Sequence, residues 1–529
     1  MPFFVSTLLL MDGWRRLAVA FIAGILASFA QFPFGWFPLL WLSVPVLVWL
    51  LDSASLGQSV RQAAFSMARV GWMFGFGFFL CTFYWLGAAF LVEADKYAWA
   101  MPLAVVVLPA GLALFWGLAT GLSAYVWSAS PHRILWLGLL LALVEWLRGV
   151  VFTGLPWGGF GPALVSNDIM MQALSVVGPN TMALFSVILF ALPVCLVSEA
   201  RFRSLGRMLA GVICVLFLAQ LGFGFYRTSL PTTIAEAAPT VRLVQPNIPQ
   251  TEKWKFENRS WIFNRLLALT SLDAADTPVE PVDMVFWPES ALPFFLMEQS
   301  GALAAIKSSL PPGAGLVTGA LRRDPELRLA DEIYNSVYQL GTDGTILAAY
   351  DKLHLVPFGE YLPMQSLLAK MGLEQLAAQK SGFTSGTKGI FLEDSKLGNI
   401  LPLICFEVAF SGELLKRVDG ADIIVNVTND AWFGNSIGPW QHLHIAKMRA
   451  VETGLPLLRI ANTGISAVID GRGRVLKQLN LGTEGVVQTK TPSKLSSTIY
   501  SQFGNLIFFT ICALIILATI SISIKFRKD

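Results

Sequence analysis

Four apolar runs in the middle of the 529-residue chain lead into residues that could do chemistry. Met284-Val285-Phe286-Trp287 leads into Pro288-Glu289-Ser290, which sets a carboxylate just past a buried strand. Tyr350-Asp351-Lys352 sets an ammonium past a second strand, and Glu360 follows at the end of Pro357-Phe358-Gly359. Ile404-Cys405-Phe406-Glu407 ends a third run with a thiol and a carboxylate close together, and Asn426-Val427-Thr428-Asn429-Asp430 ends a fourth. Open α/β sheets build their sites at strand C-terminal ends. Cysteine is a strong nucleophile as its thiolate. A lysine ammonium favours that thiolate and can stabilise an oxyanion. A glutamate can take the thiol proton and return it to a leaving group. Each residue alone reads as an ordinary loop position. Glu289, Lys352 and Cys405 together make a site for acyl transfer through a thioester.

The elements that must position these groups form a mixed α/β pattern. Strands are expected at Val241–Gln245, Met284–Trp287, Gly315–Gly319, Ser336–Leu340, Ile346–Tyr350, Ile400–Cys405, Asp422–Val427, Leu457–Ala461, Ser466–Ile469 and Val475–Gln478. Asp343-Gly344 between two of them is a hairpin signal. Helices are expected at Asn258–Ser271, Met297–Ser309, Gly412–Val418 and Gln441–Thr453. Strands and helices in this mixture, with several hairpins, predict a layered α/β domain.

This domain is embedded in a far more apolar chain. Hydrophobic residues make up 54% and charged residues 14%, and mean hydropathy is +0.60. A soluble domain carries about 25% charge, so a wholly soluble protein is not expected, and the apolar fraction rules out a disordered one. No Gly-x-y period supports a collagen-like reading. A formal charge of +3 gives no reason to expect a nucleic-acid partner. Between Thr240 and Lys494 lie 24 Lys/Arg and 26 Asp/Glu, leaving 14 and 9 for the rest of the chain. The charge therefore belongs to the central stretch and the apolar excess to what flanks it.

A membrane-crossing helix needs about 20 mainly apolar residues. Seven are expected before the central stretch, at 15–34, 36–51, 70–92, 98–127, 134–152, 174–198 and 207–226, and an eighth at 503–524. Pro45 interrupts the short second segment, and Pro102 and Pro109 predict a kink or tilt in the long fourth. Arg15 and Arg16 follow the first apolar run instead of preceding it, which argues against a cleavable signal peptide. With the N-terminus in the cytoplasm, Arg15, Arg16, Arg61, Arg69, Arg133, Arg201, Arg203, Arg207, Lys525, Arg527 and Lys528 all fall inside. Lys96, Arg148 and Arg227 fall outside, so the bias of basic residues sets this orientation. Seven spans then place the central domain on the far side of the membrane. The expected division is a seven-span bundle at 1–227, an exported catalytic domain at 228–495, and an eighth helix with a cytoplasmic tail at 496–529.

Five cysteines are present, and Cys405 is the one that lies in the central stretch. An exported domain with one thiol forms no internal disulfide.

The Glu289, Lys352 and Cys405 motifs resemble the Glu-Lys-Cys set of the nitrilase superfamily. The stretch Lys352 to Pro363, with polytopic apolar segments on both sides, resembles the apolipoprotein N-acyltransferase family. So do Gln245-Pro246-Asn247-Ile248-Pro249-Gln250 followed by Trp254, and Gly154-Leu155-Pro156-Trp157 after the fifth expected span. The resemblance covers almost the whole chain. It implies a helical membrane bundle of about eight spans joined to an αββα nitrilase-like sandwich, in the inner membrane of a bacterium with its catalytic domain in the periplasm. Cys405 would take an acyl chain from a phospholipid as a thioester, and the N-terminal amine of a diacylglyceryl-cysteine lipoprotein would then attack it. Glu289 would be the general base, Lys352 the oxyanion stabiliser, and Glu360 and Glu407 orienting carboxylates. Trp254 and Trp157 would contact substrate, with Trp254 on an arm near the lipid entrance. The family places Tyr directly after the nucleophile, where this chain has Phe406, so the ring is kept and the hydroxyl lost. The implied partners are the phospholipid donor, the diacylated apolipoprotein acceptor and the bilayer. No cofactor or metal is implied, and a monomer is expected.

Other features have plainer readings. His442 and His444 are two apart on an expected helix and point in different directions, which suits a structural or substrate-contacting role better than a metal site. Glu145 and Arg148 have the spacing of an i,i+3 ion pair within a span. The loop from Phe358 to Phe383 is apolar enough, through Tyr361, Leu362, Met364, Leu367, Leu368 and Met371, for a membrane-facing arm or for an amphipathic helix on the domain. A membrane-anchored amidohydrolase could use the same three residues, since water or an amine can open a thioester. A transporter would want more polar residues along its spans.

Overall fold

A computed structural model describes residues 3–197, 202–272, 281–323, 332–363 and 382–528. The chain divides into two compact units. The first comprises 1–87, 99–230 and 498–529, and the second 88–98 and 231–497.

The first unit is helical. Helices coincide with all eight expected segments, but their lengths differ. Among the described residues, five helical runs are long and apolar enough to cross a membrane: Phe37–Ser55, Val60–Leu91, Ala94–Ser123, Leu174–Leu196 and Arg203–Ser229. The first and fifth expected spans, at 15–34 and 134–152, are shorter helices, Gly13–Ser28 and Arg133–Arg148, of 16 residues each. The fifth ends at Arg148, capped by Gly149, and Phe152 and Thr153 beyond it take positive φ. Leu174–Leu196 lies mostly within the bundle, whereas Arg203–Ser229 leaves most of its apolar surface exposed. A helix that is apolar and exposed suits a lipid environment. Glycine allows the closest packing. A Cβ at Gly24 would overlap the Phe74 carbonyl oxygen, and one at Gly77 would overlap that of Phe21. The two helices therefore meet backbone to backbone.

The Glu145–Arg148 pair answers to the loop that follows it. Arg148 donates to the carbonyls of Leu155 at 2.5 Å, Trp157 at 3.0 Å and Gly158 at 2.7 Å. Glu145 accepts from the Phe160 N–H at 3.1 Å. These charges hold the Gly154-Leu155-Pro156-Trp157 turn in place.

Among the described residues, the second unit holds two six-stranded sheets. The first contains β1 (Thr240–Gln245), β2 (Met284–Phe286), β3 (Gly315–Arg323), β4 (Ile333–Leu340) and β5 (Ile346–Asp351) in that order, with β12 (Gly485–Lys490) outside β1. The second runs from β6 (Leu392–Asp394) through β7 (Gly398–Ile404), β8 (Ile423–Thr428), β9 (Leu457–Ala461) and β10 (Ser466–Ile469) to β11 (Val475–Leu479). β1, β2 and β3 are parallel, as are β7, β8 and β9. Leu243, Phe286 and Val337 of one sheet share a buried core with Ile404, Val425 and Ile460 of the other. On the outer face of the first sheet, Ile262 and Leu266 of helix Arg259–Ser271 and Ile306 of helix Ala302–Ser309 pack against Val285 and Leu316. Helix Gly438–Thr453 packs against the second sheet. The layers are helix, sheet, sheet, helix, the expected sandwich.

All ten expected strands form, with shifts of up to three residues at their starts and four at their ends. β6 and β12 were not expected. The helix expected from Met297 is a 3₁₀ turn at Leu296–Glu298 and a separate helix from Ala302, divided at Gly301 with φ +81°. Of the expected arm, Tyr361 and Leu362 are described, while Met364, Leu367, Leu368 and Met371 lie outside the described residues.

Candidate active site

The loops that leave β2, β5 and β7 carry the three expected groups. β2 ends at Phe286, and the Trp287 N–H continues its ladder to the Val317 carbonyl at 2.9 Å. The chain then turns sharply, with Ser290 at φ +44°. Gly319 makes room for this turn, since a Cβ there would lie 2.5 Å from the Pro288 carbonyl oxygen and 2.7 Å from the Glu289 Cα. Lys352 follows β5 directly, and its N–H donates to the Asn335 carbonyl at 2.9 Å. β7 ends at Ile404, and Cys405 adopts φ +51°. That left-handed conformation is costly for a residue with a Cβ and has to be held by its surroundings.

Glu289, Lys352 and Cys405 are all buried. Lys352 Nζ donates to Glu360 Oε1 at 2.8 Å and lies 3.7 Å from Glu289 Oε1. Asn335 Nδ2 bridges the two carboxylates, at 2.8 Å from Glu289 Oε1 and 3.2 Å from Glu360 Oε1. Glu360 Oε2 accepts from the Val356 N–H at 2.8 Å. Burial alone would push Lys352 down. The Glu360 and Glu289 carboxylates and the nearby Cys405 outweigh it and hold the ammonium well above the usual lysine range. For Cys405, burial and the Glu289 charge push the thiol up, against the opposing pull of Lys352. The resting group is therefore a thiol, and its activation requires a base.

Glu407 is a structural acceptor. Its carboxylate receives the Tyr350 hydroxyl at 2.9 and 3.0 Å and the N–H groups of Leu353 at 2.7 Å, His354 at 3.2 Å and Ile404 at 2.7 Å. Burial raises its pKa, while the Ile404 N–H and the Lys352 charge oppose that shift. Glu407 thus ties the Lys352 loop to the end of β7. Phe406 packs edge-on against Phe410, with ring centres 4.9 Å apart.

Trp254 is half-buried at the end of the short helix Gln250–Lys253. Trp157 lies in the helical unit, buried against Trp85 at 5.5 Å. Among the described residues, no cluster of His, Cys, Asp or Glu has the form of a metal site.

Two residues join this site without having been expected. Asn335 is the third residue of β4 and lies just ahead of the strand expected from Ser336. Lys253 is 2% exposed, and its Nζ donates to the Glu289 backbone carbonyl at 3.2 Å. Burial lowers its pKa to about 8, against the upward pull of Glu289 and Cys405. Its neighbours Thr251, Glu252 and Lys255 make the segment look like a solvated turn.

Residues 240–500 match the carbon-nitrogen hydrolase family, and residues 23–192 match the apolipoprotein N-acyltransferase N-terminal domain. An apolipoprotein N-acyltransferase of Rhodopseudomonas palustris is 42% identical over 521 residues, covering 97% of this chain and 96% of the relative. Another, from Allorhizobium ampelinum, is 43% identical over 91% of this chain and 90% of its own length. A third, from Sinorhizobium medicae, is 44% identical over 92% of each.

Proposed function

This chain belongs to the apolipoprotein N-acyltransferase family, and on that premise we propose that it transfers an acyl chain from a phospholipid, through a Cys405 thioester, to the N-terminal amine of a diacylated lipoprotein. The observation that carries the mechanism is the buried group of Glu289, Lys352 and Glu360 beside Cys405, with Lys352 2.8 Å from Glu360 and 3.7 Å from Glu289. Glu289 takes the thiol proton, and the sulfur attacks the acyl ester carbon. Lys352 steadies the oxyanion. The ester C–O bond breaks, and Glu289 returns the proton to the departing lysophospholipid oxygen. In the second half the α-amine attacks the thioester, Glu289 accepts the amine proton, the C–S bond breaks to form the amide, and Glu289 passes that proton to the departing Cys405 sulfur. Glu360 and Asn335 hold Lys352 and Glu289 in register throughout. Trp254 contacts the lipid substrates, while Trp157, buried against Trp85, supports the turn that carries it. Residues 228–495 form the catalytic domain on the periplasmic side of a bacterial inner membrane, and the chain acts as a monomer.

Both substrates carry acyl chains, and drawing a chain out of a bilayer costs about 0.8 kcal/mol per CH₂. An extensive helical unit therefore suits lipid substrates better than a simple anchor for an amidohydrolase would require. The test is the intact mass of the Cys405 peptide after incubation with phospholipid. An added acyl mass, discharged by a diacylglyceryl peptide and absent from Cys405→Ser, is the expected result. Cys405→Ser acylating the peptide at the wild-type rate would overturn the thioester route. Release of ammonia from small amides, without acyl transfer, would favour the hydrolase.

A further inference from the structure

β8 ends on a polar cluster that the acyl-transfer steps leave unused. Asn426, Asp430, His442 and Arg459 are each at most 1% exposed. Asn426 lies on β8 with Asp430 just past it, Arg459 lies on β9, and His442 lies on helix Gly438–Thr453. Arg459 donates to Asp430 Oδ2 at 2.6 Å and to Asn426 Oδ1 at 2.5 Å. Asp430 Oδ1 accepts from the Thr428 hydroxyl at 3.0 Å and faces His442 Nδ1 at 2.8 Å. Burial would raise the Asp430 carboxyl, but Arg459 and His442 hold it down at about 2, so it stays a carboxylate.

The cluster meets the nucleophile at its backbone. His442 Nε2 lies 3.2 Å from the Cys405 carbonyl oxygen, and Asn426 Nδ2 lies 3.4 Å from the same atom. A carbonyl oxygen can only accept, so Nε2 is the donor in the first contact. Asn426 Nδ2 is shared with the Leu403 carbonyl at 3.3 Å, which leaves His442 as the shorter and undivided contact of the two. Each donor is fixed from behind. Asp430 sets the direction of the imidazole through Nδ1, and Arg459 sets that of the amide through Oδ1.

This carbonyl belongs to a residue in a costly conformation. Cys405 has φ +51°, and a left-handed residue with a Cβ persists only where its surroundings over-determine it. Its torsions fix the direction of the Cα–Cβ bond, and so where the sulfur is presented. Misplacing an attacking atom by about an ångström can cost about 100-fold in rate. Donors that pin the carbonyl next to that Cα therefore act on the reaction as well as on the fold.

We propose that His442 is a positioning residue for acyl transfer, which holds the Cys405 carbonyl through Nε2 and with it the backbone that presents the thiol. This rests on the reading of Cys405 as the nucleophile.

The test compares His442→Asn with His442→Gln in the full-length detergent-solubilised protein. Glutamine carries an N–H at about the reach of Nε2, whereas asparagine carries one at about the reach of Nδ1 and stops short of the Cys405 carbonyl. Acyl-enzyme formation from phospholipid is timed by mass spectrometry of the Cys405 peptide. His442→Asn is expected to slow it about 10- to 100-fold, through kcat with little change in KM, and His442→Gln should restore most of the rate. If His442→Asn does not fold, Asn426→Asp takes its place. It keeps an acceptor for Arg459, turns the other donor into an acceptor, and should slow the same step. A wild-type rate in the folded variant, or an equal loss in His442→Asn and His442→Gln, would overturn the inference alone. Failure of the wild-type Cys405 to acquire any acyl mass would overturn the reading on which it rests.

Discussion

At the residue scale, the site is a balance between burial and charge. Lys352 keeps its proton because two carboxylates surround it, whereas Lys253 sits deep with the Glu289 backbone carbonyl as its hydrogen-bond acceptor. That difference has a measurable consequence. The folded pKa of Lys253 is about 8, below its ordinary 10.5. Between those two values the unfolded chain binds more protons than the folded one, so stability rises with pH across this window. Below pH about 8 the folded protein bears the whole penalty, on the order of 3 kcal/mol. Lys253→Met should therefore gain stability below pH 8, and its advantage should shrink as pH rises toward 10. Melting temperatures of both proteins in detergent across that range check this, and parallel curves would contradict it. Glu289, Lys352 and Cys405 stand out in the sequence because their residue types are informative after apolar runs. Lys253 does not, because nothing local distinguishes a buried lysine from a solvated one.

At the element scale, parallel strands bring distant residues to one edge. β2 and β3 run parallel, and two antiparallel steps through β4 return β5 to the same direction. Glu289 and Lys352 therefore leave the sheet at the same edge, although 62 residues separate them by number. Gly319 on β3 sets the position of Glu289 by its lack of a Cβ. Gly319→Ala should cost about 1–3 kcal/mol through overpacking. It should also cut turnover, by up to about 100-fold if Glu289 shifts by an ångström. Thermal denaturation and acyl-transfer rate check the two parts, and unchanged values for both would refute the positioning role. Strand alternation made most of the sheets legible. β12 escaped because it is an edge strand with polar residues and two glycines nearby, and β6 because three residues are too few to show a period. Their pairing with β1 and β7 is a tertiary fact.

At the scale of the whole molecule, the separation of charge from apolar sequence underlies the proposed topology. If the domain faces the periplasm, a cysteine placed at exposed Thr342 in the β4–β5 hairpin should react with a membrane-impermeant maleimide in intact spheroplasts. Labelling only after the membrane is opened would reverse the orientation. The sequence by itself determined the two-part architecture, because hydropathy and charge are summed along the chain and need no fold. It also determined which residue types could act, since a thiol, an ammonium and a carboxylate each have few functional readings at strand ends. The tertiary structure decided which of them meet, because burial, close backbone approach and hydrogen-bond direction exist only once distant strands lie side by side. It brought Asn335 and Lys253 to Glu289, turned Arg148 onto three carbonyls, and set the Thr428 hydroxyl on Asp430.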